Sequence, residues 1–349
     1  GYVFGDGNDA SKNQLMLDIL KTHQVEVYAL KQDHQAAPGR FAPGSAWIVP
    51  TGQPQFRMVR TLFETMLHFE DSLFYDVSTW TLPLAFNMPY AEINQSRQLD
   101  QLKGERVHVI KTENGGLKGG VSEYAYVFSW DDYYAPKALY EIQAQGLRTR
   151  VATAPFSIKL NGEVMPFGFG SILIPVAIQD VPADRVADIL SRAAENAGIS
   201  IYPAHSSLVA EGTNLGSGNF VALSRPSVAM IIGQGVNSRE AGEAWHLLDT
   251  HYGIPLTMLD IDRIGSVNLD RYNVLIMVSG GYGSIQDAGR EAIARWVRGG
   301  GTIVALGSAN NYLERSGLAS IEFVSIPRSD EPVMLPYESQ GAYRGSRRM

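Results

Sequence analysis

The strongest constraint on the fold is one order of elements that occurs three times along the chain. In each occurrence a short apolar strand leads through a polar or glycine-rich loop into an amphipathic helix, and two further strands and a second helix follow. The first strands are residues 2–4, 125–130 and 228–233. Alternating strands and helices predict right-handed crossovers and parallel sheets. We therefore predict an α/β protein built from repeated flavodoxin-like, doubly wound parallel-sheet units.

The composition of the predicted strands supports the same interpretation. They consist almost entirely of apolar residues, which is typical of strands covered by helices on both faces. Spacings of three and four residues between apolar positions predict the second helix of each unit at 54–68, 182–197 and 284–298. In the third unit the chain then returns as the strand 301–306.

Two glycine-rich stretches separate the units, ENGGLKGG at 113–120 and EGTNLGSGN at 211–219. The first unit carries an aromatic, irregular segment at 74–90, which fits either a packed connection or a surface for a ligand or partner. Because the chain opens on a strand without an initiator Met, we expect a fragment or a processed form, and truncation at the C-terminal end is left open. The expected domains are 1–115, 121–212 and 222–349.

Charge and composition narrow the classes of function. The 349 residues carry a formal net charge of −7, and we expect no nucleic-acid partner, since such proteins present a basic face. No apolar run reaches the roughly 18 residues that a membrane span needs, so we expect no membrane span in this chain. The chain has no cysteine, which excludes disulfides, thiolate metal sites and a cysteine nucleophile.

A resemblance to a known family is carried by five stretches, at 48–64, 72–92, 242–249, 269–283 and 300–313. Together they resemble the region that follows the catalytic domain in zinc carboxypeptidase-like proteins of the peptidase M14 family. That region includes a class I glutamine amidotransferase-like module. The resemblance implies an accessory region that supports its own peptidase domain and helps to present a peptide or glycopeptide substrate. It also implies an exported protein, in the periplasm, at the outer membrane or secreted.

The zinc site of that family lies in its catalytic domain and uses an HxxE pair with a distant histidine. This chain contains no HExxH. HxxE occurs once, at His23-Gln24-Val25-Glu26, where the first predicted helix leads into the strand that follows it, and His68-Phe69-Glu70-Asp71 is a near match. A surface or core histidine explains His68 better than a metal ligand does. We therefore expect no metal and no cofactor in this chain, and zinc only in the absent catalytic domain.

The resemblance also implies where an amidotransferase-like site would lie. The family cysteine falls on Gly307, or on Ser308 if the turn is shifted by one residue. The turn Ser279-Gly280-Gly281 resembles the turn that carries the oxyanion donors in the family. By that resemblance, the Gly280 and Gly281 amides of this chain would stabilise an oxyanion. No histidine follows His251 along the chain, although His246, with Glu243 one turn before it, could supply a base from elsewhere.

Two interpretations of this turn stay open at the level of sequence. In the first, no residue is catalytic, and Ser308 caps the helix that follows it. In the second, the chain is a serine-dependent hydrolase or amidase that uses Ser308 with His246. The first is preferred, because glycine carries no nucleophile and a serine needs a base.

Two glycine motifs offer a third class, a small-molecule or nucleotide binder. Gly5 and Gly7 belong to GDGNDA, and Gly233 and Gly235 belong to GQGVNS; each motif joins a strand to a helix and could cradle a phosphate. Both also contain good helix caps, Asn8, Asp9, Asn237 and Ser238, which explain the turns without a ligand.

Adjacent carboxylates follow the first strand of the second unit. Asp131 and Asp132 stand between Trp130 and two tyrosines, where a sugar, a peptide amine or a cation could bind. A solvated loop with an aspartate cap explains the pair equally, and neighbouring side chains that point apart do not favour paired acid–base chemistry.

Overall fold

The computed structural model describes residues 1–65, 81–108 and 115–324. It has a mixed α/β architecture, and one of its sheets is wholly parallel. The predicted α/β class is therefore confirmed. The described residues fall into two compact units, one up to residue 108 and one from residue 115 onwards. Among these residues no helix is both long and apolar enough to cross a membrane.

The first unit contains seven short strands and four helices. They are β1 Tyr2–Phe4, α1 Ala10–Thr22, β2 Tyr28–Leu30, β3 His34–Ala36, β4 Gly39–Phe41, β5 Trp47–Val49, α2 Phe56–Phe63, α3 Leu82–Ala85, β6 Tyr90–Glu92, α4 Ser96–Leu102 and β7 Lys103–Arg106. Five strands form one sheet in the order β6-β1-β5-β2-β7, and β3 and β4 form a separate hairpin.

Neighbouring strands of this first sheet are antiparallel throughout. Strands β1 and β2 run the same way, as the helix between them predicts, but β5 returns between them in the opposite direction. One face of the sheet packs on α1 and α2 through residues such as Phe4, Leu20 and Phe63. On the other face, Phe41 of the hairpin and Leu102 of α4 cover Val3 and Ile48.

The second unit begins with nine strands and two helices. They are β8 Gly116–Leu117, β9 Ala125–Phe128, α5 Ala135–Ala144, β10 Thr149–Ala152, β11 Phe156–Leu160, β12 Glu163–Phe167, β13 Ile172–Pro175, α6 Ala183–Ala197, β14 Ser200–Ala204, β15 Glu211–Gly212 and β16 Phe220–Leu223. The main sheet has the order β16-β10-β13-β9-β14-β8, and β12, β11 and β15 form a smaller one.

This main sheet repeats the topology of the first. Here β13 returns antiparallel between β9 and β10, as β5 does between β1 and β2. The strand that follows the second helix lies beside the first strand in both sheets. Helices α5 and α6 cover one face, and the hairpin β11–β12 covers the other with Phe156, Ile158 and Phe167. Only β8 pairs in parallel, with β14.

The remaining described residues form a third sheet that is wholly parallel. Its elements are β17 Val228–Ile232, α7 Ser238–Trp245, a π-helical turn His246–His251, β18 Leu256–Asp260, the 3₁₀ turns Ile261–Ser266 and Leu269–Arg271, β19 Val274–Met277, α8 Asp287–Arg298, β20 Thr302–Ala305, the 3₁₀ turn Gly307–Ala309 and α9 Asn310–Arg315. The order is β18-β17-β19-β20. Helix α7 packs on one face, and α8 and α9 pack on the other.

The prediction of parallel sheets is therefore right for the third sheet and wrong for the first two. The reason lies in what covers the strands. Apolar strands indicate two covered faces. In the first two sheets a β-hairpin covers the second face, together with α4 in the first sheet. The predicted boundaries at 1–115, 121–212 and 222–349 stay a prediction. Strand β8 lies within the first glycine-rich stretch, and β16 begins directly after the second. Residues 74–80 of the aromatic segment lie outside the described part of the chain.

Candidate functional site

The predicted site lies at the carboxyl edge of the third sheet. Parallel strands all end at one edge, so the turns after β17, β19 and β20 meet there. These turns are residues 233–237, 278–283 and 306–309. A cavity of about 520 Å³ opens beside them, and we call it the Ser308 cavity. Its lining comprises Gly280, Gly281, Tyr282, Gly283, Arg290, Glu291, Ala294, Ser308, Tyr312, Arg315 and Ser316.

Backbone hydrogen bonds hold the turns after β17 and β19 together. The Asn237 amide donates to the Ser279 carbonyl at 2.9 Å, and the Gly281 amide donates to the Gly235 carbonyl at 2.8 Å. A Cβ on Gly235 would lie 2.8 Å from the Gly281 oxygen, and Gly235 has a φ of +86°. The close approach of the two turns thus requires a glycine at position 235. Phosphate binding is not needed to explain this glycine of the GQGVNS motif.

A residue that sequence reasoning missed completes this junction. Glu240 accepts the Ser279 amide at 2.8 Å with one carboxylate oxygen and the Asn237 side-chain amide at 3.0 Å with the other. Asn237 caps α7 as predicted, accepting from Arg239 and Glu240. A cap followed three residues later by a glutamate is a capping box, so the Asn237–Glu240 spacing was a usable signal.

The position expected for a nucleophile has no room for a side chain. Gly307 adopts a φ of +51° directly after β20, and a Cβ built on it would lie 2.1 Å from the Ser279 hydroxyl oxygen. The Ser279 side chain therefore fills the volume into which a residue at position 307 would project. A larger side chain there requires Ser279 to move.

Ser308 does not cap the following helix, and the prediction that it does is wrong. Its hydroxyl oxygen accepts the Gly280 amide at 3.0 Å, and the hydroxyl points back to the Gly280 carbonyl at 3.5 Å. The residue before α9 is Ala309, which has no side chain for capping. The physical reason is the extra 3₁₀ turn at 307–309, which moves the cap position one residue beyond Ser308, to Ala309.

The two predicted oxyanion donors already have acceptors within the protein. The Gly280 amide donates to Ser308, and the Gly281 amide donates to Gly235. An oxyanion hole needs amides that point at the place where charge develops in the transition state. In this arrangement a substrate oxygen would have to displace a protein acceptor at each amide.

The structure does not bring His246 to this site. Helix α7 starts at the carboxyl edge of the sheet and runs away from it, and His246 follows Asn237 by nine residues, about 13 Å along the axis. Helix α9, which follows Ser308, lies on the opposite face of the sheet. The His246 ring packs on His251, with ring centroids 4.7 Å apart, and Glu243 is solvent-exposed. No histidine is among the described residues that line the Ser308 cavity.

The buried side chain of Tyr282 holds the turn after β19 in place. Its side chain is only 2% exposed, and its hydroxyl donates to the Val278 carbonyl at 2.7 Å. Burial raises the pKa of the Tyr282 phenol well above its ordinary value, and the negative charge of Glu240 adds to the rise. The phenol therefore stays neutral and acts as a donor that holds the turn.

Comparison with known proteins adds no family to this geometry. No family model, curated protein or solved structure matches the chain.

The GDGNDA turn is also bonded internally. Asp9 caps α1 by accepting the Lys12 amide at 2.8 Å, and Asn13 exchanges hydrogen bonds with the Asp6 backbone. The Lys12 ammonium lies 2.6 Å from the Asp6 carboxylate. A Cβ on Gly5 would lie 2.2 Å from the Ser45 carbonyl oxygen, so this glycine serves packing, while Gly7 is exposed. Gly233 likewise packs against Ile261, whose side chain would lie 3.0 Å from a Cβ.

Asp131 and Asp132 make local hydrogen bonds. Asp131 accepts the Ser129 hydroxyl at 2.7 Å, and Asp132 accepts the Tyr134 amide at 2.8 Å just before α5. The predicted aspartate cap is wrong, because the residue before α5 is Tyr134, whose side chain makes no cap bond. The bond from the Tyr134 amide to Asp132 closes a local turn ahead of the helix instead. In the part of the chain that the structure describes, no three histidine, aspartate or glutamate side chains are grouped as metal ligands, and His68 lies outside that part.

Proposed function

We propose that this chain is a non-catalytic, amidotransferase-like accessory region of a zinc carboxypeptidase-like protein of the M14 family. Its role is to support the peptidase domain of the same protein and to help present a peptide or glycopeptide. The family part of the proposal rests on the five sequence stretches. Zinc belongs, in this proposal, to the catalytic domain, and export follows from the family as well.

The fold of the third sheet supports the amidotransferase-like part. Four parallel strands in the order second, first, third, fourth match the beginning of the flavodoxin-like order. Helices cover both faces, and the turn after the fourth strand runs directly into a helix. We propose a flavodoxin-like module for residues 228–315 on this basis.

One observation carries the absence of catalysis. The side chain of Ser279 fills the space in front of Gly307, where a nucleophile would project. The neighbouring amides donate to protein acceptors, and His246 lies beyond the far end of α7. A strand–turn–helix shape without nucleophile, base and free oxyanion donors favours a binding or packing role over hydrolysis.

A covalent serine probe tests the loss of chemistry. We expect a fluorophosphonate to add no mass to the full chain under conditions in which a serine hydrolase is fully labelled. Ser308→Ala is the matched variant. Labelling of the wild-type chain that disappears in Ser308→Ala would favour the serine hydrolase instead.

The accessory role is tested in the parent protein. We expect the gene product that contains this chain to carry a peptidase domain with an HxxE zinc motif. Deleting residues 1–349 from that product should lower kcat/KM for peptides or reduce the soluble yield of the peptidase. A parent without such a domain, or a peptidase indifferent to the deletion, would contradict the proposal.

A further inference from the structure

The Ser308 cavity is lined by charged side chains, and the proposed absence of hydrolysis does not explain why they are there. Two arginines line it, Arg290 from α8 and Arg315 from α9, and Glu291 is the only carboxylate in the lining. Arg290 also pairs with the exposed Asp287 at the start of α8. The Nε of Arg315 donates to the Asn311 carbonyl at 3.1 Å, which leaves its terminal nitrogens as donors. The side chains of the lining thus include two guanidinium groups and one carboxylate.

A buried hydroxyl without an acceptor adds a second observation. The Tyr312 hydroxyl lies in the same lining, is shielded from solvent, and has no hydrogen-bond partner among the described residues. A buried phenol without an acceptor costs on the order of 1–3 kcal/mol, and most such groups in proteins have a partner. Because this oxygen has almost no accessible surface, a ligand acceptor reaches it only when the Tyr312 side chain moves towards the cavity, and the new bond would then remove that cost.

The rest of the lining sets the kind of ligand. Ala294 and the rings of Tyr282 and Tyr312 provide apolar surface, with the two ring centroids 5.7 Å apart. A volume of about 520 Å³ lies within the range of small-molecule sites. Guanidinium groups match the two oxygens of a carboxylate, and a phenol donates well to the same group.

We propose that the Ser308 cavity binds a small organic carboxylate, held by Arg290, Arg315 and the Tyr312 hydroxyl, without turnover. The apolar remainder of the ligand packs on Tyr282 and Ala294. The site is independent of the family assignment, because it rests on the cavity and its side chains alone. A free acid and the C-terminal carboxylate of a peptide share this chemistry.

Calorimetric titration of the full chain tests the proposal with matched probes. Acetate and benzoate carry the charge, and acetamide and benzamide have the same shape without it. We expect at least one carboxylate to saturate a single site, and its amide to bind about tenfold more weakly or worse. A short peptide with a free or an amidated C-terminus separates the two sources of the carboxylate.

Three variants assign the site. We expect Arg315→Gln to weaken the carboxylate about tenfold and Tyr312→Phe about fivefold, because each removes one donor to it. Arg298→Gln removes an exposed arginine from the end of α8, outside the cavity, and should change Kd less than about twofold. Thermal midpoints check that each variant is folded.

Several outcomes would overturn the proposal. They are equal binding of carboxylate and amide, saturation by neither carboxylate, or tighter binding of inorganic phosphate than of both. An equal loss in Arg298→Gln and Arg315→Gln would also overturn it, since general surface charge would then explain the binding. Because the wild-type comparison of charged and neutral probes needs no variant, misfolding of a variant leaves the test intact.

Discussion

At the scale of single residues, Gly307 and Ser279 share one small volume at the edge of the third sheet. The Ser279 hydroxyl stands where a side chain on residue 307 would begin, and the φ of +51° at Gly307 favours glycine as well. Both effects act against a larger residue at position 307. They can be separated, because only the first depends on Ser279.

We predict that Gly307→Ala lowers the free energy of unfolding by about 2–3 kcal/mol, from the φ and the contact together. In a Ser279→Ala background the same change should cost about 1 kcal/mol less, a coupling that a double-mutant cycle in urea measures. Gly317→Ala is the control, because Gly317 has a φ of +68° but open space around its Cβ position. Additive losses in the cycle would show that the two residues do not compete for space.

The buried phenol of Tyr282 gives a pH dependence with a definite sign. Its pKa in the folded protein is raised, so its contribution to stability is fully present below the unfolded value of about 10 and is lost as pH rises further. We predict that Tyr282→Phe is about 1 kcal/mol less stable at pH 8, from the lost bond to Val278. Above pH 10 the gap should narrow by up to about 1.4 kcal/mol per pH unit.

Urea unfolding at several values between pH 8 and 11 measures that gap. Other buried tyrosines, such as Tyr126, are present in both proteins, so their titration cancels in the difference. A gap that stays constant over the whole range would contradict the assignment.

The structural role of a residue could be predicted from the sequence only where a local rule fixes that role. The caps Asp9 and Asn237 follow from side chains placed before amphipathic helices, and the structure confirms both. The partners of Ser308 and Ser279 depend on how three separate turns meet, and no local pattern contains that information. Glu240 stands between these cases, because its spacing from Asn237 was visible while its bond to Ser279 was not.

At the scale of elements, strand positions and strand directions behave differently. The apolar stretch at 2–4 contains β1, and the two further strands predicted before the second helix are present as β2 and β5. Their direction was wrong, because the hairpin β3–β4 turns the chain back before β5 and β5 enters between its neighbours. In the third sheet each connection contains a helix or a long crossover, and the predicted parallel direction holds.

The capping box of α7 joins a helix to the turn after β19. We predict that Asn237→Ala costs about 1 kcal/mol of stability, because α7 loses its cap and Glu240 loses one of its donors. Gln286→Ala, before α8, is the control, since Gln286 makes no side-chain bond to the first turn of its helix. Thermal and urea unfolding measure both. A cost for Gln286→Ala as large as that for Asn237→Ala would show that capping is not the cause.

At the scale of the whole molecule, the chain combines two kinds of sheet. The first two main sheets share one antiparallel order, and the third is a separate parallel sheet. The repeat of three units was visible in the sequence, since strands and helices recur in the same order. The difference between the third unit and the others was not, because both kinds of sheet bury two apolar faces.

The division into compact units leads to a prediction about folding. Each of the two compact units, residues 1–108 and 115–324, has its own buried core, as an independently folding domain does. We predict that residues 115–324 expressed alone unfold cooperatively in urea, with a near-ultraviolet circular dichroism signal from their packed aromatic residues. A broad transition together with binding of a hydrophobic dye would indicate that the unit needs the rest of the chain.

The most direct test of the account is the exchange rate of two backbone amides. Selective ¹⁵N-glycine labelling allows the Gly280 and Gly281 amides to be followed by NMR in the wild-type chain and in Ser308→Ala. We predict that both are protected in the wild type, and that Gly280 alone loses protection in the variant, because Ser308 is its acceptor. If both amides exchange at the rate of an unfolded peptide in the wild type, they are free to bind a substrate oxygen, and the central claim is wrong.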